Sequence, residues 1–188
     1  MNNDTQTFIN IDFSEFLALE EEYEDCIFER CSFSNMDLSF IEFIGCEFIG
    51  CDFSMAKLVD TSFHDAIFKD CKMLGLQFDQ CNEFGLTFSF ENCDLSLSSF
   101  YKTKIVKTIF INIQLRDVDF TECDISGSLF DNCDFARAIF SRTRAERVDF
   151  RSSFHYSIDP ENNRIKKAKF SLDGVIGLLD KYDIKIEG

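Results

Sequence analysis

Tryptophan is missing from this chain of 188 residues, proline occurs once and histidine only twice. Histidine is limited to His64 and His155, and no nucleophile, base and orienting group is readable as a catalytic set. No glycine-rich phosphate loop or Walker pattern is present either. The sequence therefore names no catalytic, cofactor-binding or metal-ligating residues, and a non-enzymatic protein is expected. Basic residues are also short: 19 Lys and Arg stand against 34 Asp and Glu, for a net charge of −15. A nucleic-acid binder must neutralise phosphates, so direct nucleic-acid binding is disfavoured. A basic partner suits this charge better. The deficit is uneven, with −16 over residues 1–100 and +1 over residues 101–188. No apolar run approaches the ~20 residues of a membrane helix. The start, MNNDTQTFIN, lacks the basic-then-apolar order of an export signal. A cytoplasmic location without membrane contact is the expectation.

What the chain does have is phenylalanine, 24 of them, on a fixed period. Stepping by five from Tyr23 gives Phe28, Phe33, Leu38, Phe43, Phe48, Phe53, Leu58, Phe63, Phe68, Met73, Phe78, Glu83 and Phe88. After a slip of two residues the series resumes at Leu95 and runs through Phe100, Ile105, Phe110, Leu115, Phe120, Ile125, Phe130, Phe135, Phe140 and Ala145 to Phe150. Only Glu83 among these centres is not apolar. Neither the helical period of 3.6 nor the strand period of 2 produces this pattern. The residue two before each centre is never charged from Cys26 to Val148, and all nine cysteines occupy that place. Two residues in five thus face inward, one large and one small.

With CDF at 51–53, MDL at 36–38, CDL at 93–95, CDI at 123–125 and CDF at 133–135, the sequence resembles the pentapeptide-repeat family over roughly residues 23–157. The resemblance implies an all-β fold: a right-handed, four-sided parallel β-helix in which four pentapeptides make one lap of 20 residues. Residues 20 apart then share a column. One core column reads Phe28, Phe48, Phe68, Phe88, Phe110, Phe130 and Phe150, all phenylalanine. Roughly six laps would give a rod of about 30 Å. A local distortion is expected at 82–92, where Glu83 is too costly to bury and Phe84 can take its place inside.

Cys31, Cys51, Cys71, Cys93 and Cys133 share a second column. A tetrahedral metal site needs ligands converging on one point, whereas a column spreads them along an axis. Cysteine is therefore read here as a small apolar filler.

The ends depart from the period. Residues 1–22, with Phe8, Ile9, Ile11, Phe13, Phe16 and Leu17, read as an irregular N-terminal cap. Residues 158–188 read as a C-terminal cap, with Pro160 at the break, a last strand in 165–170 and a short α-helix behind Ser171 as N-cap. The apolar face of that helix is Leu172, Val175, Ile176 and Leu179, and a final strand is expected at Ile184–Ile186.

FIGCEF at 43–48, DAIFKDC at 65–71 and the tail LDKYDIKIEG at 179–188 look like segments of the Qnr-type quinolone-resistance proteins and their relative MfpA. That resemblance implies a DNA-mimicking rod that binds DNA gyrase and topoisomerase IV and relieves quinolone poisoning. It also implies a homodimer through the C-terminal helix. Asp52, Asp60, Asp65 and Asp70 are the candidate acidic partner-binding surface. The competing reading is an interaction scaffold with another partner and no topoisomerase role. Arg137, Arg142, Arg144, Arg147, Arg151, Arg164, Lys166, Lys167 and Lys169 form a basic zone near the C-terminal end.

Overall fold

The computed structural model describes residues 6–15, 19–84 and 86–185. The five-residue period becomes a right-handed parallel β-solenoid with four short sides to each lap. Side 1 is a seven-stranded parallel sheet of β1 (Thr7–Ile9), β3 (Ile27–Glu29), β5 (Glu47–Ile49), β7 (Ala66–Lys69), β8 (Phe88–Glu91), β9 (Ile109–Ile111) and β10 (Leu129–Asp131). Side 4 carries a three-stranded sheet of β2 (Glu22–Glu24), β4 (Glu42–Ile44) and β6 (Ser62–His64), and continues as single bridges from Lys104 to Asp124, Arg144 and Arg164. Sides 2 and 3 are joined by single bridges, such as those linking Asp12, Ser32, Asp52, Lys72 and Asp94. Partners on one side are 20 residues apart, or 22 across the insertion.

Each corner turns on the residue two after a centre. Arg30, Met55, Asp60, Asp65 and Asp70 all have φ between 51° and 60° there. This left-handed region is least costly for Gly, Asn and Asp, which explains their recurrence at these places. Gly75 has φ 69°, so the backbone calls for glycine there, while the atom nearest a Cβ is only the mobile end of the exposed Met55 side chain.

The choice of phenylalanine follows from the lap height. Parallel strands repeat every ~4.8 Å, which is also a favourable separation for offset-stacked rings. Phe8, Phe28, Phe48 and Phe68 stack at 4.8, 4.9 and 4.9 Å. The column continues through Phe90, Phe110, Phe130, Phe150 and Phe170 at 5.3, 5.2, 4.5, 5.5 and 5.4 Å. The fold thus supplies a stacking geometry that a lone aromatic pair would have to find for itself.

Several expectations are corrected. The phenylalanine column passes through Phe90, not Phe88: β7 pairs with β8 so that Phe68 faces Phe90 and Ala66 faces Phe88. The two extra residues are taken up before Phe88, on side 4. Phe88 is still buried, 4.8 Å from the Phe90 ring and packed on Phe78. Phe84 does not replace Glu83 inside; it is 78% exposed, and Glu83 is exposed as well. Residues 1–22 are not an irregular cap where they are described, because β1 pairs with β3 and Phe13 stacks on Phe33 at 4.6 Å. Phe16 and Leu17 lie outside the described residues. The coil also runs one lap further than expected, with Arg164 bridging Arg144 and Lys169 bridging Asp149; 165–170 carries no full strand.

The C-terminal α-helix is replaced by two 3₁₀ segments, Gly174–Leu178 and Asp180–Tyr182. Ser171 does cap the turn, its Oγ accepting the Gly174 N–H at 3.0 Å. The physical reason for the tighter turn lies in Gly174 and Gly177. Three residues apart, they eclipse on a 3₁₀ turn, and both press against Tyr156. Ile184 is in no strand, and Ile186 lies outside the described residues.

Candidate partner-binding surfaces

The cysteine column is interior. Cys31, Cys51, Cys71, Cys93 and Cys133 are all buried, with Ile113 between the last two. Their thiols donate to carbonyls of the lap before: Cys51 Sγ to Phe28 O at 3.2 Å, Cys71 Sγ to Phe48 O at 3.3 Å and Cys133 Sγ to Phe110 O at 3.6 Å. Burial pushes the Cys46, Cys123 and Cys133 thiols up to about 12. Such thiols are neutral and poor nucleophiles. Among the described residues, no group of three His, Cys, Asp or Glu could hold a metal ion.

The four aspartates picked from the sequence do not come together. Five residues is a quarter of a lap, so Asp60, Asp65 and Asp70 stand on three successive corners. Asp52 lies half-buried on side 2, its Oδ1 accepting the Ser54 N–H at 2.9 Å. The cluster that does form is on side 4. Glu22 of β2 stacks on Glu42 of β4, with Glu24 and Asp25 exposed beside them. Its signal was present as the acidic run 20–25 and a Glu 20 residues downstream.

Five of the nine bases in the basic zone are paired within the chain, four of them with acids one lap away. Arg137 pairs with Asp117 at 2.6 Å, Arg142 with Glu122 at 2.6 Å and Arg144 with Asp124 at 3.5 Å. Asp149 accepts Arg151 at 2.8 Å and Lys169 at 3.4 Å. The buried Asp134 holds Arg116 at 2.7 Å and His155 at 2.8 Å. Arg147, Arg164, Lys166 and Lys167 make no ion pair among the described residues.

Hydrogen bonds from Arg151 lead the causes that hold Asp149 at about 2, below the usual 3.8. A carboxylate depressed in the folded state stabilises above its unfolded pKa and loses that contribution as pH falls through the folded value. The Asp149 contribution is therefore complete above about pH 4 and gone near pH 2, and as a surface pair it is worth at most about 1 kcal/mol. Asp149→Asn should lower the urea midpoint at neutral pH, and the gap to the parent should close as pH falls across that window. A gap independent of pH would remove the ion pair as the cause.

No helix among the described residues is long and apolar enough to cross a membrane. The insertion on side 4 leaves an open groove of about 340 Å³ lined by Phe78, Cys81, Phe84, Leu86, Tyr101 and Lys104. On the C-terminal cap, Leu172, Val175 and Ile176 are 88%, 38% and 49% exposed, while Leu179 is half-buried.

A four-sided parallel solenoid with one large and one small inward residue per five defines a repeat protein whose outer sides offer surface rather than a cleft. The chain belongs to the pentapeptide-repeat family: the family's sequence model, described as pentapeptide repeat region, matches residues 21–89 and 86–154. Among solved structures, it is similar to QnrB1, a plasmid-mediated fluoroquinolone resistance protein. One trypsin-treated variant is 20% identical with TM-score 0.63, covering 98% of this chain and 100% of that one. A second is 18% identical with TM-score 0.65, covering 97% and 98%. The full-length form is 21% identical with TM-score 0.53, covering 96% and 98%. A search among curated proteins finds no match. The likeness shows a shared fold along the whole rod.

Proposed function

We propose that this protein is a cytoplasmic DNA mimic that binds a type II topoisomerase, DNA gyrase or topoisomerase IV, and protects it from quinolones. The reading is supported above all by the charge on the rod. The first 100 residues carry −16, presented outward at lap intervals of ~4.8 Å on a stiff stacked core. In the other half Arg137, Arg142, Arg144 and Lys169 are occupied by acids one lap away, and Arg151 by Asp149 beside it. A rigid acidic rod fits a basic DNA-binding saddle by charge and shape. The full-length structural likeness to a fluoroquinolone resistance protein adds the shape argument. Exposed Leu172, Val175 and Ile176 on the cap suit end-to-end pairing of two such rods.

The second reading is an interaction scaffold for a different protein. Phe84, 78% exposed on the insertion, favours it, because an apolar anchor has no counterpart in a DNA mimic.

A gyrase supercoiling assay with ciprofloxacin separates the two. Supercoiling should be rescued at about micromolar protein, and rescue should fall at least tenfold when Glu22, Glu24, Asp25 and Glu42 are changed to Gln. Neither rescue nor inhibition by the parent protein would remove the mimic reading.

A further inference from the structure

Side 4 is a column of eight layers whose charge reverses from one end to the other. The first layer presents Glu22, Glu24 and Asp25, all exposed, and the last presents Arg164, Lys166 and Lys167, all exposed. The second layer offers Glu42 beside Gly45, whereas the seventh offers Arg144 and Arg147 with Glu146 half-buried between them. Near the middle, Glu83 and the exposed Phe84 stand on the fourth layer, and Lys104, Val106 and Lys107 on the fifth. The corner of this side repeats the reversal, passing from Asp25 and Asp65 through Thr87 to Lys107, Arg147 and Lys167.

We propose that side 4 is a self-complementary surface on which a second copy of this chain docks side by side and antiparallel. A two-fold axis between the fourth and fifth layers brings layer one against layer eight of the other copy, and layer two against layer seven. Three acids then meet three bases at each end, and Glu42 meets Arg147. The axis itself passes beside Phe84 and Leu86 of one copy and Val106 of the other, an apolar centre flanked by charge. Glu83 of the fourth layer meets Lys104 and Lys107 there. The third and sixth layers, with Asp65 and Asp124, are the one mismatched pairing, and Asp124 is already neutralised by Arg144. Parallel pairing would oppose three acids to three acids, and like charges at close range are strongly unfavourable. An isologous contact of this kind closes on itself and stops at two copies.

The surface is distinct from the cap, so it does not depend on end-to-end pairing; it goes beyond the topoisomerase reading but uses the same acids, Glu22, Glu24, Asp25 and Glu42, so a second copy and a topoisomerase compete for side 4. The contact is about 34 Å long and rich in exposed charge, so its strength should depend on salt.

Sedimentation velocity tests it directly. With any cap pairing removed by Val175→Asp and Ile176→Asp, the chain should still be dimeric at about 50 mM salt, with at least a tenfold weaker association at about 500 mM. In that background two triple variants, Arg164→Glu with Lys166→Glu and Lys167→Glu, and Glu22→Lys with Glu24→Lys and Asp25→Lys, should each be monomeric alone. Mixed one to one they should form a heterodimer, since both ends of the pair are then complementary again. These side chains are exposed, and circular dichroism checks that both variants keep the coil. A chain with the two cap changes that stays monomeric at low salt would overturn the proposal. So would triple variants that dimerise as that background does, or a mixture that stays monomeric. A parent dimer abolished by Val175→Asp with Ile176→Asp and untouched by the charge reversals would assign the contact to the cap and likewise overturn it.

Discussion

Phe48→Ala is expected to cost about 3–5 kcal/mol of unfolding free energy, the range for removing a fully buried aromatic from a packed core. Phe48 is fully buried, and its ring lies 4.9 Å from both Phe28 and Phe68. It also meets Phe43 at 5.3 Å and Phe53 at 5.0 Å edge-on. Truncation therefore breaks two stacked pairs and leaves a void in the middle of the column. The void cannot collapse easily, because the lap spacing is fixed by backbone hydrogen bonds such as Glu47 N–H to Cys26 O at 2.9 Å and Arg30 N–H to Ile49 O at 2.8 Å. Phe48→Leu should cost less, about 1–1.5 kcal/mol, because leucine already serves as a buried centre at Leu38, Leu58, Leu95 and Leu115. Urea unfolding with linear extrapolation measures both. A loss below about 1 kcal/mol for the alanine variant would mean that ring stacking contributes little to this coil.

The order of these two costs is legible from the sequence, because the period of 20 alone places the residues in columns. Where the period is ambiguous, the sequence stops short. Phe68 is followed by phenylalanine at both 20 and 22 residues, as Phe88 and Phe90. An insertion anywhere between Phe78 and Phe90 leaves every later column intact, so only the pairing of β7 with β8 selects Phe90. The four candidate aspartates are spread around the coil for a geometric reason. Asp60, Asp65 and Asp70 are near in sequence, but each step of five turns the chain to a new side, whereas Glu22 and Glu42 share a side at a separation of 20. The ends are harder to read because the five-residue period is interrupted before each is reached, by Ala18 between Phe8 and Tyr23 and by His155 and Pro160 between Phe150 and Phe170.

The C-terminal turn is the remaining departure, and it yields the second large effect. Leu172, Val175, Ile176 and Leu179 fit an α-helical face, but Gly174 and Gly177 are poor helix formers and fit a tighter turn. A Cβ on Gly177 would run into the backbone carbonyl of Tyr156, far inside van der Waals contact. Backbone cannot rotate aside as a side chain can. The same glycine accepts the Ile158 N–H at 2.9 Å, so a shift of the turn also breaks that bond. Gly177→Ala should therefore lift the cap from the last lap and uncover Tyr156 and Phe170. In a solenoid each lap mainly contacts its neighbours, so the coil below should remain folded. Lys181 is the reporter, held in the parent at 2.7 Å from both Asp159 and Glu161. Trypsin should cut after Lys181 at least about tenfold faster in the variant, following the larger population of the open cap. The far-ultraviolet circular dichroism of the coil should change little. Equal protection of Lys181 in parent and variant would show that the close approach at Gly177 does not hold the cap.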